Sequence, residues 1–261
     1  MSRKILKNKP LVEAIFELRW ELQEPKPGCG WKIDPYYKIL IGGIYDRVQE
    51  EYPFHRQLPT ATMPDEIAAY VVQHQFRKGK NEWPLIQIGP GVITLNDTEG
   101  YIWEDFKKRI SRLLDTLFEV YPEAENNLRI NRLLLRYIDA IDFDYGKDDI
   151  FTFLKGKMKM NIDIPKQLFE DTDVDQSPLG FDLKFSFPSV KPKGAIHLRF
   201  ARGKRKDIES ESLIWETMVQ SIGGNIAKPK DEINVWIKES HKLTDDWFFK
   251  MIEGELLRRF E

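Results

Sequence analysis

Two arginines interrupt a segment that is otherwise rich in leucine and isoleucine. Arg132 and Arg136 lie within 128–144, whose hydrophobic residues predict a strand. A guanidinium group forms paired hydrogen bonds with carboxylates and phosphates, so both arginines are candidates for binding an anionic ligand. An internal ion pair is the simpler interpretation, because a buried charge needs a partner. Glu13, on the polar face of the first predicted strand, is a candidate for that partner and a third candidate binding residue.

A second pattern is similar to part of a nuclease site. Asp182 and Lys184 follow several acidic residues, and metal-dependent nucleases hold Mg²⁺ with carboxylates beside a lysine that stabilises charge. The basic run that includes Lys204, Arg205 and Lys206 is a candidate for phosphate contacts. Alternation explains the first pair as an exposed strand face, and acidic residues follow the basic run at once. Nucleic-acid binding or cleavage is therefore the alternative, and we expect neither metal dependence nor tight binding.

The remaining catalytic inventory is short. Four histidines, His55, His74, His197 and His241, never occur at the spacing of a helical zinc motif. The single cysteine, Cys29, excludes an internal disulfide and a multi-cysteine metal site. We therefore predict no catalytic residue, no metal and no cofactor, and we favour a protein that is not an enzyme.

The composition is that of a soluble globular protein. Hydrophobic residues make up 41% of the 261-residue chain and charged residues 31%, which excludes a largely disordered chain. The formal net charge of −2 provides no overall field toward nucleic acid or anionic lipid. One cysteine, no signal peptide and no membrane-spanning stretch predict a cytoplasmic protein without a membrane partner.

The first half predicts a sheet with two helices. Strict alternation over 12–22 predicts a strand that places Val12, Phe16, Leu18 and Trp20 in the core. Apolar residues at three-four spacing predict a long helix over 101–121, with Phe106, Ile110 and Leu114 facing the sheet. The other predicted elements are a helix within 34–53 and strands at 67–76, 85–88, 92–95 and 128–144.

With the two pieces 85–88 and 92–95 counted as one strand, the element order is β-α-β-β-α-β, which predicts a ferredoxin-like lobe over 1–145. We expect its first and fourth strands not to be direct neighbours. Glu13, Glu17 and Asp139 are the candidate partners of the arginines if these strands come together. If they do not, the partner lies on a helix or in the second half.

The second half predicts a β-meander followed by a long helix. Apolar and polar residues alternate over 181–187, 196–200 and 213–219, which indicates three antiparallel strands. Helical periodicity then runs from Asp231 to the C-terminus. We assign 146–261 to this second lobe, packed with the first as one unit. The predicted class is α+β, with antiparallel sheets and amphipathic helices on one face.

Five short motifs, taken together, resemble one family. They are Pro10–Ala14, Pro84-x-x-Gln87-x-Gly89 with Leu95-Asn96, the group Tyr101, Trp103 and Phe106, the run Arg132-x-x-Leu135-Arg136-Tyr137-Ile138-Asp139, and the helix with His241, Phe248 and Ile252. The chain is similar in these to a sporadically distributed set of bacterial and archaeal proteins of comparable length and unknown function. The resemblance implies no reaction, although a patchy distribution is typical of defence-associated genes. It adds Tyr101 to the candidate binding residues.

The function that we favour is recognition of a partner protein or a small ligand in a cleft between the two lobes. Self-association is a further form of the same function. The alternatives are the nucleic-acid role described above, as part of a defence system, and a small-ligand carrier. In the carrier, three curved strands would pack against the final helix and enclose an apolar cavity.

Overall fold

The computed structural model describes residues 6–98, 100–204, 210–226 and 230–261. Its strands form one antiparallel sheet of nine strands, in the order β2-β3-β4-β5-β1-β6-β9-β8-β7. The strands are β1 (Leu11–Trp20), β2 (Phe54–Gln57), β3 (His74–Arg77), β4 (Leu85–Gly89), β5 (Val92–Asp97), β6 (Ile130–Asp142), β7 (Asp182–Ser189), β8 (Gly194–Lys204) and β9 (Glu211–Ile222). The helices are α1 (Tyr37–Val48), α2 (Trp103–Val120), α3 (Ala124–Asn127), α4 (Ile150–Lys157), α5 (Lys230–Ile252) and α6 (Glu255–Phe260).

The α+β class is confirmed. The single sheet has nine strands, which is more than was predicted for either lobe. Strand β6 pairs with β9 along eleven residue positions, from Arg132–Ile222 to Asp142–Ser212, so the two halves share one continuous sheet. Strand β1 pairs directly with β6, with Phe16 opposite Leu135. The expectation that these two strands are not neighbours was therefore wrong.

Alternation in β1 produces two different sheet faces. Ala14, Phe16, Leu18 and Trp20 are fully buried under helices α1 and α2, as predicted. Val12 is 48% exposed, which corrects its predicted place in the core. The cause is a register shift between Leu11 and Glu13, which interrupts the pairing of β1 with β6 at this residue.

Two hydrophobic clusters stabilise the helix-covered face. The first packs β1, β5 and β6 against α1, α2 and the start of α5, and it includes the predicted Phe106, Ile110 and Leu114. The second packs β8 and β9 against α4, the end of α5 and α6, around Phe200 and Trp215. Both clusters contain residues from each half of the chain, because the sheet is continuous beneath them.

The segment before β3 differs from its predicted conformation. The predicted strand over 67–76 is extended and paired only from His74, and Ile67 is exposed. Tyr70 has a positive φ of 60°, which an extended strand does not contain. The segment instead crosses the end of β4, where a Cβ added to Gly89 would lie 1.9 Å from the Val71 carbonyl oxygen. Gly89 therefore permits a close backbone approach.

Candidate functional site

The predicted arginines lie on the sheet face opposite the helices, in a continuous row of polar side chains. Arg136 donates to Glu216 Oε2 from Nε at 2.9 Å, and its Nη2 lies 2.6 Å from the same oxygen. Arg199 donates from Nη1 to Glu216 Oε1 at 2.7 Å and forms two further bonds with Asp182, at 2.8 and 3.0 Å. Arg136 thus pairs with the second half of the chain, and the row holds its charges in pairs.

Glu13 belongs to the same face but has a different partner. Its Oε1 accepts a hydrogen bond of 2.7 Å from Asn96 Nδ2, and Asn96 Oδ1 in turn accepts from Thr94 and Gln87. Burial raises the pKa of the Glu13 carboxyl, while the bond from Asn96 and the charge of Arg136 act in the opposite direction. Glu13 is therefore part of a hydrogen-bonded polar network across β4, β5 and β1.

Arg132 contacts a different acidic residue. Its Nε lies 3.5 Å from Glu17 Oε1, which is an ion-pair contact without hydrogen-bond geometry. Its Nη2 donates to Gln220 Oε1 at 3.3 Å. Asp139, the other acidic candidate, lies on the helix-covered face of β6, since odd and even residues of a strand point to opposite faces. It is not a partner of either arginine. A role of the arginines in binding stays a prediction.

We expect Arg136→Ala to lower the free energy of unfolding by about 1–2 kcal/mol. The Arg136 side chain is 32% exposed and the Glu216 side chain 11% exposed, so the pair is only partly buried. Breaking it should therefore cost less than breaking a fully buried ion pair. Glu216 also keeps its bond from Arg199. Urea unfolding measures the change. Arg112→Ala, which breaks an exposed pair with Glu51, is the control and should cost about 0.5 kcal/mol or less. A loss above about 3 kcal/mol would mean that Arg136 is effectively buried.

The residues of the nucleic-acid alternative are not gathered into one site by the described residues. Asp182 and Lys184 lie on the edge strand β7, where Lys184 Nζ is 3.4 Å from Asp182 and Arg199 occupies both carboxylate oxygens. Lys204 ends β8, and Arg205 and Lys206 lie outside the described residues. Within the described ranges no group of three or more His, Cys, Asp or Glu side chains could hold a metal ion.

A cavity lies on the helix-covered face, and we call it the junction cavity. Its volume is about 500 Å³. Residues that precede or begin β1 and α2, two residues of β6, one of β9 and five of α5 line it. The lining is Leu6, Lys9, Pro10, Leu11, Tyr101, Ile102, Trp103, Glu104, Tyr137, Asp139, Thr217, His241, Thr244, Asp245, Phe248 and Phe249. The cavity is therefore built where the two halves of the chain meet.

A hydrogen-bonded chain of two tyrosines and a histidine forms one wall of the junction cavity. Tyr101 Oη lies 2.9 Å from Tyr137 Oη, which lies 2.9 Å from His241 Nδ1. The His241 ring stacks on Trp103 with 3.7 Å between ring centroids. Lys9 Nζ donates to the Tyr101 carbonyl oxygen at 2.6 Å, which ties the start of β1 to this wall. These contacts hold polar groups from β6, α2 and α5 in fixed positions.

Asp139 is the unusual residue of the junction cavity. It is 3% exposed, and no described residue donates a hydrogen bond to its carboxyl or forms an ion pair with it. Tyr137 and Asp139 share the helix-covered face because they are two residues apart on β6. Burial raises the pKa of the Asp139 carboxyl to about 8. Such a group is costly to bury alone, and it faces a space that a ligand can enter.

Residues from four of the five sequence motifs meet at this cavity. Eight of them line it, namely Pro10, Leu11, Tyr101, Trp103, Tyr137, Asp139, His241 and Phe248. Of the predicted binding residues, only Tyr101 lies there. The sequence reading missed Asp139 because we considered it only as a partner for arginines, and His241 because no second ligand stands near it in sequence. The joint occurrence of these residues in the motifs was the available signal.

Comparison with known proteins adds no identification. The chain matches no model of a known protein family, and a search of curated proteins finds no match. No described helix combines the length and apolar character required to cross a bilayer.

Proposed function

We propose that this protein binds a small organic molecule in the junction cavity. The observation that carries the proposal is the carboxyl of Asp139, which has no partner among the described residues, is almost fully buried and lines a cavity of about 500 Å³. Ligand pockets typically enclose about 300–1,000 Å³ and combine apolar walls with a few fixed polar groups. The aromatic walls and the chain from Tyr101 to His241 have this character.

The position of the cavity supports the predicted cleft between the halves. Lys9, Tyr101 and Asp139 come from 1–145, whereas Thr217 and His241 come from 146–261. A concave, partly enclosed space favours a small molecule over the surface of a partner protein, because protein interfaces are broad and comparatively flat. Partner-protein recognition and the nucleic-acid role stay alternative predictions.

We further propose a fold description, a cellular location and a division of the chain. The order β4-β5-β1-β6, with α1 and α2 in the connections, supports a ferredoxin-like description of 1–145 that β2 and β3 extend at one edge. We also keep the cytoplasmic location as a prediction, together with the division into 1–145 and 146–261.

A fragment screen tests the proposal. Wild-type protein is screened by ligand-observed NMR, and the structures of crystals soaked with the hits show where they bind. We expect hits in the junction cavity with dissociation constants that rise about tenfold or more in Ile102→Trp, since Ile102 is an exposed residue at the cavity rim.

The control variant is Ile39→Trp. Ile39 is similarly exposed, but it lies on α1 and does not line the cavity, so its replacement should leave binding unchanged. The absence of any hit in the cavity would refute the proposed function. Hits that occupy another place and bind all three proteins equally would refute it as well.

A further inference from the structure

We infer that the ligand of the junction cavity is an organic cation, a primary or secondary amine on an apolar or aromatic body, whose ammonium group pairs with the Asp139 carboxylate. This inference rests on the proposed function and specifies its ligand class. The carboxyl is 3% exposed and is the only polar group of β6 that lines the cavity without a described partner, since Tyr137 is held by Tyr101 and His241.

A bound ammonium group would give the Asp139 carboxylate both an opposite charge and hydrogen-bond donors. A carboxylate removed from water needs a cation or several hydrogen-bond donors, and the described residues provide neither. Thr217 and Tyr137 are its neighbours in the lining, but neither donates a hydrogen bond to it. An amine supplies both the opposite charge and two or three N–H donors in one group.

Three carboxyl groups belong to the described lining, those of Asp139, Glu104 and Asp245, and one ammonium group, that of Lys9. Lys9 directs its Nζ to the Tyr101 carbonyl oxygen at 2.6 Å, and Glu104 is paired with Lys107. The preference for a cation therefore depends on the Asp139 carboxyl, which becomes a carboxylate when it pairs with an ammonium group.

The walls suit the apolar part of such a ligand. Phe248 and Phe249 on α5 pack edge to face, with ring centroids 5.3 Å apart, and both line the cavity. Ring faces attract an ammonium group through their quadrupole and also bury the carbon skeleton of an aromatic amine. The cavity thus combines a buried carboxyl group with aromatic surface.

The affinity for an amine should then depend on pH. In the empty cavity burial raises the pKa of Asp139 to about 8, so pairing with an ammonium group releases a proton at lower pH. Affinity should fall as the pH decreases below about 8, by up to tenfold per unit, while the affinity of an uncharged analogue changes little. The titratable groups that face Asp139 across the cavity are Lys9, Tyr101, Glu104, Tyr137, His241 and Asp245.

The experiment uses probes that share an aromatic core and differ in the charged group at the end of its side chain. Each aromatic core is measured as a primary amine, as an uncharged alkyl analogue and as a carboxylate, for example tryptamine, 3-ethylindole and indole-3-propionate. Isothermal titration calorimetry on the full chain gives the dissociation constants. We expect the amines to bind about tenfold to a hundredfold more tightly than their uncharged analogues.

Two variants locate the effect. Asp139→Asn should remove the preference for amines and leave the uncharged analogue with its affinity. Asp142→Asn, which changes an exposed aspartate on the same strand outside the cavity, should keep the preference. Tighter binding of uncharged or carboxylate probes, or an amine preference that survives Asp139→Asn, would overturn this inference and leave the proposed function standing. If no probe of any charge binds in the cavity, the proposed function fails and this inference fails with it.

Discussion

Replacing Asp139 with asparagine is expected to raise the free energy of unfolding by about 4 kcal/mol at pH 7, since each pKa unit corresponds to about 1.4 kcal/mol. The carboxyl keeps its proton in the folded protein up to about pH 8, whereas the unfolded chain ionises near its ordinary value of 3.8. At pH 7 the unfolded state therefore gains the free energy of ionisation and the folded state does not. An amide has the size of the protonated carboxyl and cannot ionise, so the variant lacks this penalty.

The pH dependence of this effect identifies its cause. The folded wild-type protein binds more protons at Asp139 than the unfolded chain does, so the Asp139 contribution to stability decreases as the pH rises from about 4 to about 8. The stabilisation by Asp139→Asn should be small near pH 4 and largest above pH 8. Urea unfolding across this range measures it, with Asp142→Asn as the control because that carboxyl is exposed. A gain that is absent at pH 7, or the same at every pH, would show that Asp139 is solvated or paired.

This expected gain bears on function as well as stability. A group whose removal stabilises the fold is typical of a binding or catalytic position, where the requirements of function and stability oppose each other. The pairing of Asp139 with a ligand ammonium group would remove the cost in the bound state. The stability measurement and the binding measurement thus test the same carboxyl by independent readouts.

Phe16→Ala is expected to lower the free energy of unfolding by about 3–5 kcal/mol. Phe16 is fully buried at the centre of the sheet, between Leu95 of β5 and Leu135 of β6, and it contributes to the cluster beneath α1 and α2. Removal of its ring leaves a void that neighbouring strands cannot fill, because their positions are fixed by the sheet hydrogen bonds. Urea or thermal unfolding measures the loss.

The matched control is Ile15→Ala on the same strand. Ile15 lies on the opposite sheet face and is only partly buried, so we expect a loss of about 1 kcal/mol or less. Equal losses in the two variants would contradict the assignment of the core to the even-numbered face of β1.

Local periodicity determined the elements that are long and strongly patterned. Strand β1 was predicted from its alternation and helix α2 from its three-four spacing. Both patterns arise because one face of the element is buried, which makes hydrophobic residues recur at regular intervals. The strands of the meander, β7, β8 and β9, were predicted for the same reason. The prediction for Val12 was wrong because of the register shift beside it. Such a shift depends on the pairing with the neighbouring strand, so the sequence of β1 alone does not reveal it.

The order of the strands and the binding site were decided by the tertiary structure alone. Arg136 meets Glu216 and Tyr137 meets His241, although 80 and 104 residues separate them in the chain. Hydrophobic periodicity is a local pattern and gives no information about residues so far apart in the chain. These contacts form because the strand order makes particular strands neighbours. The sequence by itself determined the α+β class and the buried face of β1, and it singled out the motifs from which eight residues line one cavity. The burial of Asp139, with no partner among the residues that the structure describes, is a property of the surrounding elements, because desolvation depends on every side chain that excludes water from it.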